Sequence, residues 1–127
     1  MSDDVLYEWE RLPEYRATQQ LARSTGRILT SLPKRVRLMI GRTMLRGPIL
    51  IARGIAGANA ELPPDEELTT HERELFRTSA LEAIVLLRDA YRLLRDGRIG
   101  SQPDLLVALD LLERIEAGLR SHQPRAA

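Results

Sequence analysis

Apolar residues recur along this chain at three- and four-residue intervals and never alternate with polar ones over a strand's length, so helices are predicted and sheet is not. Over residues 13–31, Leu21, Thr25, Ile28 and Leu32 recur on one weakly apolar face. Pro13 suits a first helical turn, and Pro33 ends the ladder and opens the next helix. Residues 34–58 place Val36, Ile40, Met44, Gly47, Ile51, Gly54 and Ala58 on one stripe whose small residues admit a neighbouring backbone. Pro48, inside this segment, lacks a donor and predicts a kink.

The stretch NAELPPDEELTT reads as the longest connector. Thr69 and Glu72 have capping-box spacing and open a long third helix ending at Asp96, with Gly97 as a left-handed cap. Its stripe is Phe76, Ala80, Ala83, Leu87, Ala90, Tyr91 and Leu94, widened by Leu75, Leu86 and Leu93, which makes it the helix expected to be most buried. SQPD opens the fourth, with Ser101 as cap, Pro103 in the first turn, and Leu105, Leu109, Leu112, Ile115 and Leu119 facing inward. Connectors of about one, twelve and five residues favour antiparallel neighbours. The expected fold is all-α, an antiparallel up-down-up-down four-helix bundle. It forms one domain over residues 1–127, with 1–12 as an N-terminal segment and 121–127 as a frayed tail.

The formal net charge of +1 conceals an uneven distribution. Residues 15–60 hold eight arginines, one lysine and no acid, whereas residues 61–127 hold nine arginines and thirteen acids. At 100° per residue, Arg35, Arg42, Arg46 and Arg53 fall within about 20° of one line, opposite the Ile40, Met44 and Ile51 stripe. Arg16, Arg23 and Arg27 repeat this spacing on the first helix. Packed side by side, the two helices would set these arginines in parallel rows, with Lys34 and Arg37 near the turn. Without local acids such rows attract phosphate, which arginine binds bidentately, so nucleic acid, DNA or RNA, is the expected partner. A solvated face, or a contact with the acidic half of another copy, is the alternative. No aromatic side chain is interleaved with the rows, which argues against base stacking.

Enzyme motifs are not found: there is no glycine-rich phosphate loop and no serine elbow, so no catalytic residue, metal or cofactor is expected. His71 and Glu74 would make at most half a metal site, and the plainer reading is a solvated histidine in a first turn. Glu74, Glu82 and Asp89 pair on paper with Arg77, Arg88 and Arg92 along the third helix. Without cysteine there are no disulfides or sulfur-based zinc sites. The acidic opening MSDDVLYEWE is unlike a secretory signal, and no apolar run approaches the ~20 residues of a membrane span, so the expected location is cytoplasmic, with no membrane partner.

A second apolar surface remains. Leu38, Leu45, Ala52 and Ala56 occupy one flank of the second helix, and Leu81 and Val85 lie among charges on the third. One bundle core cannot cover every direction of a helix, so these six residues are the expected homo-oligomer interface.

PKRVRLMIGRTM resembles the P-K-x-x-R-x-x-x-G-x-x-[IM] opening of the second helix in the accessory variability determinant proteins of diversity-generating retroelements, through Pro33, Lys34, Arg37, Gly41 and Met44. The wider four-helix bundle family, which includes proteins encoded in intervening sequences of bacterial large-subunit ribosomal RNA genes, is also similar. GPILIARG resembles its I-P-x-N-I-A-E-G segment through Pro48, Ile51, Ala52 and Gly54, and SALEAIVLLRDA resembles its S-x-x-E-L-x-x-L-L-x-x-A segment through Ser79, Glu82, Leu86, Leu87 and Ala90. Leu50 stands where the motif has asparagine and Arg53 where it has glutamate. The resemblance covers roughly residues 7–119 and implies a non-enzymatic four-helix bundle assembling as a homopentamer. It further implies that basic surfaces bind nucleic acid and a partner reverse transcriptase, as in the retroelement members.

Overall fold

The structure, a computed structural model, describes residues 8–121. The first seven residues and the tail beyond Ser121 lie outside the described residues, and with them nearly all of the segment expected to fray. A short 3-10 turn (Glu8–Arg11) leads into α1 (Pro13–Ser31), α2 (Lys34–Asn59), a second 3-10 turn (Pro64–Glu66), α3 (Thr70–Asp96) and α4 (Gln102–Ser121). No strand occurs among the described residues, and none of their helices is long and apolar enough to cross a membrane. The helices pack in a ring, α1 on α2 and α4, α3 on α2 and α4, which is the expected up-down-up-down bundle.

Local chemistry sets the helix ends. Pro13 starts α1 in place of a side-chain cap, and Pro33, extended at φ −57° and ψ 146°, separates α1 from α2. At α3 the Thr69 hydroxyl accepts from the Glu72 N–H at 3.0 Å, and the Thr69 N–H donates to the Glu72 carboxylate at 2.8 Å, completing the capping box. These two bonds hold the Glu72 carboxyl below its ordinary value. The other end of α3 differs from expectation, because Gly97 is right-handed at φ −81° and the left-handed position is Arg98, at φ 54°. The Ile99 N–H bonds the Leu94 carbonyl and the Arg98 N–H bonds the Arg95 carbonyl, the two bonds of a Schellman turn placed one residue later than predicted. Gly100 follows at φ 83°, where an added Cβ would stand 2.8 Å from Leu32, so the turn closes against the end of α1. There the Ser101 N–H donates to the Ser31 hydroxyl at 2.8 Å.

The core is built from Leu21, Ile28, Met44, Ile51, Ile55, Ile84, Leu87, Tyr91, Leu105, Leu112 and Ile115, all fully buried. Its tightest seam is α2 on α3. A Cβ at Gly47 would lie 2.4 Å from Leu87, one at Gly54 2.6 Å from both Ala80 and the Phe76 carbonyl, and one at Gly57 2.2 Å from the Phe76 ring. Three glycines on one side of α2 thus let α3 lie almost on the α2 backbone. The seam also corrects the expected stripe of α3: Leu75, Leu86 and Leu93 are 56%, 59% and 63% exposed rather than buried. So close a contact is narrow, and it is filled by Ala80, Ala83 and Leu87. On α4 the buried line includes Ala108 and Leu111, while Leu109 is only half-buried. α2 continues through Pro48 without interruption, its proline buried towards α1.

Several polar groups are interior. Thr25 donates to the Leu21 carbonyl at 2.7 Å, which commits its only proton, so Tyr91 is the donor in the 2.5 Å bond between the two hydroxyls. Burial pushes the Tyr91 phenol up to about 12. Arg73 is fully buried near the start of α3, where it donates to the Gly57 carbonyl at 3.3 Å and pairs with the Glu67 carboxylate. That guanidinium ties the acidic connector and the end of α2 to α3, although its Nε has no hydrogen-bond partner among the described residues. Glu14, also buried, sits where Gly118 makes room, since a Cβ there would be 2.7 Å from its carboxylate.

Two predictions follow from this packing. Gly54→Ala should destabilise the bundle by about 1–3 kcal/mol despite its better helix propensity, because a backbone carbonyl cannot rotate away. Gly26→Ala, with nothing within 4 Å of the new Cβ, should stabilise it by about 0.5–1 kcal/mol. Chemical denaturation of the two variants measures both, and equal effects would refute the close-approach account. A phenol raised in the fold contributes stability that is complete below its unfolded value near 10 and is lost as pH rises towards 12. The alkaline loss should be of order 3 kcal/mol and should be much reduced in Tyr91→Phe, itself about 1 kcal/mol less stable at neutral pH.

Candidate nucleic-acid interface

The inward side of α2 is occupied by Met44, Ile51, Ile55 and the glycine seam, so the helical period turns Arg35, Arg42, Arg46 and Arg53 outward, and all four are exposed. Arg35 to Arg53 spans about 27 Å at 1.5 Å per residue. Lys34 and Arg37 are exposed in the opening turn of the same helix, which contains no acid. Cations there oppose the helix macrodipole, and together with it they concentrate positive potential at this end of the bundle.

The treatment of arginine differs between the two halves of the chain. Among the described residues, Arg73 pairs with Glu67, Arg77 with Glu74, Arg88 and Arg120 with Glu116, Arg95 with Asp96 and Arg114 with Asp110. Burial would push the Glu116 carboxyl up, but hydrogen bonds from Arg120 and Arg88 hold it below its ordinary value. None of Lys34, Arg35, Arg37, Arg42, Arg46 and Arg53 joins a salt bridge among the described residues. The pairing expected along α3 holds for Glu74 with Arg77 alone. Arg88 reaches across to α4, and Glu82, Asp89 and Arg92 remain outside any described salt bridge.

The expected alignment of two rows side by side is corrected. Arg16, Arg23 and Arg27 are exposed, but two of them turn towards α4: Arg16 lines a groove with Arg114 and Gly118, and Arg27 bonds the Asp104 carboxylate at 3.1 Å. The Ser101 hydroxyl first, and Arg27 after it, hold the Asp104 carboxyl below its ordinary value. Arg46, for its part, lines a groove on the α3 side, with Leu50 and Leu86. Between the α1 row and the α2 row runs the apolar flank of α2. There Leu45, Ile49 and Ala52 face Gln19 and Ala22 of α1 across a groove of about 340 Å³.

Of the expected interface residues, Leu38, Leu45 and Val85 are 74%, 58% and 47% exposed, while Ala52, Ala56 and Leu81 are half-buried, Leu81 against the core. Sequence reasoning missed Met39 and Ile49, which are 83% and 58% exposed. Ile49 was legible, standing one turn beyond Leu45 on the same flank. His71 is exposed, and no group of three potential metal-ligating side chains forms among the described residues. No family model matches the chain, and no curated protein matches it.

Proposed function

We propose that this chain is a non-enzymatic, self-assembling helical bundle that binds nucleic acid along the outer face of α2, as an accessory protein like those of the resembled retroelement family. One observation carries the reading: six cations on a single helix are exposed and outside any described salt bridge, in a molecule whose second half pairs most of its arginines. Acids were available to neutralise them, since the chain has eighteen, yet none falls in residues 15–60. A row of guanidiniums about 27 Å long suits the phosphates of DNA or structured RNA without reading bases.

The resemblance motif divides the same way. Met44 and Gly41 are buried, while Lys34 and Arg37 point into solvent. A reverse transcriptase encoded beside this chain is the protein partner that the resemblance adds, and five is the subunit number it implies. A second reading, an oligomeric protein scaffold without a nucleic-acid role, draws on the apolar flank at Leu38, Leu45 and Ile49.

Salt-dependent retardation of duplex DNA and structured RNA tests the first reading against the second. Replacing Arg42 and Arg46 together with glutamate should flatten the slope of log affinity against log salt by about 2, at about 0.9 per phosphate contact on duplex DNA, with helix content unchanged. Arg27→Gln, whose charge Asp104 already engages, should change it by well under about 1. Unchanged binding in the double variant, or no binding by the native protein at low salt, leaves the scaffold.

A further inference from the structure

Phosphate binding by the arginine row leaves the neighbouring apolar groove without a role. On the α1/α2 seam, Gln19 and Ala22 face Leu45, Ile49 and Ala52 across about 340 Å³, and Leu45 and Ile49 are each 58% exposed. Arg42, one turn before Leu45, borders the α2 side, and neither helix carries an acid after Glu14. The described chain enters at this same seam. Its first turn, Glu8–Arg11, packs on both α1 and α2, and the Trp9 ring stands edge-on to Tyr15 at 4.9 Å. The groove begins at Thr18, about 8 Å along α1 from Pro13 at 1.5 Å per residue. Upstream of the turn, outside the described residues, the sequence reads MSDDVLY, two carboxylates followed by three largely apolar side chains. Seven extended residues reach about 23 Å, whereas Ala52 to Leu45 measures about 10 Å along α2. HQPRAA, which follows α4, has one arginine and no acid, so it lacks this match.

We propose that residues 3–7 dock in this groove of their own chain, with Val5, Leu6 and Tyr7 against Leu45, Ile49 and Ala52, and with Asp3 and Asp4 carried on to Arg42. The direction follows from the entry point. α1 and α2 are antiparallel, so the chain leaves the turn beside the later half of α2 and runs towards its start. The tether supplies an effective concentration in the millimolar range, so a short contact is enough to occupy the groove. A polyanion that gathers several phosphate contacts displaces the two carboxylates, whereas a weaker anion does not. This competition rests on the reading that the α2 row binds nucleic acid, but the docking does not. Arg42 is covered in the docked state, while Arg46 turns towards α3 and remains open to phosphate.

The chain has no cysteine, so Leu6→Cys with Ile49→Cys introduces a single pair of thiols. Under mild oxidation, without nucleic acid, this pair should close within one chain about tenfold faster than Leu6→Cys with Val85→Cys, which lies on the helix diagonal to α1. Equal rates, or a bond that joins two copies instead, overturn the docking. Val5→Ser with Leu6→Ser removes the apolar contact and keeps both carboxylates, so the net charge is unaltered. It should tighten duplex DNA binding at low salt by about two- to tenfold, the range of two exposed ion pairs. Unchanged affinity in that variant overturns the covering of Arg42. A native protein that binds no duplex at low salt counts against the phosphate reading alone, because the disulfide decides the docking without nucleic acid.

Discussion

The close approach of α2 to α3 governs the arrangement of the molecule. Gly47, Gly54 and Gly57 remove the side chains that would hold the two helices apart, and Ala80, Leu87 and Phe76 occupy the space left. Glycine costs about 0.8–1.0 kcal/mol per helix position relative to alanine, so three on one helix have to be offset by the packing they permit. Once that side of α2 faces α3, the helical period leaves no choice for the remainder. Ile51 and Ile55 enter the core, Leu45 and Ile49 fall beside α1, and Arg35, Arg42 and Arg53 point away from the bundle.

Buried polar groups keep this arrangement in register. The Tyr91 and Thr25 hydroxyls join α3 to α1 through the middle of the core. Arg73 fastens the connector at one end, and Gly100 and Ser101 close the other against Leu32 and Ser31. Breaking a buried ion pair leaves an uncompensated charge at a cost of several kcal/mol, so Arg73 makes the connector part of the folded unit. The same residue type therefore has two uses in one chain. In the second half most guanidiniums meet carboxylates within the fold, and those of α2 join no salt bridge among the described residues.

The helices and most of their ends were legible because they depend on nearby residues: Pro13, Pro33, and Thr69 with Glu72 act within one turn. The left-handed residue at the end of α3 is expected one position early, since Gly97 invites the conformation that Arg98 takes. What failed depended on contacts between helices. A helical wheel shows that Leu75, Leu86 and Leu93 lie near an apolar stripe, but not that Ala80 and Ala83 narrow the contact and leave all three outside. It shows Arg16, Arg23 and Arg27 in phase, but not which neighbour they turn towards, and Arg27 went to Asp104. Buried Arg73 was invisible because its partners, Gly57 and Glu67, belong to other segments. The α2 row was legible because it depends only on the period of one helix and on the lack of acids over residues 15–60.

The choice of cation bears on what that row meets. Eighteen of the nineteen basic residues are arginine, and lysine would serve equally for solubility alone. A guanidinium presents a planar fork of donors and is more weakly hydrated than an ammonium, so it gains more from a carboxylate or phosphate partner. Inside the fold that property is used where Arg77 bonds both the Glu74 carboxylate and the Leu119 carbonyl, and where Arg120 holds Glu116 through two nitrogens. On α2 the same chemistry is held out to solvent beside apolar side chains that water does not favour. A surface of this composition is matched by a partner that is anionic, apolar, or each in turn along its length.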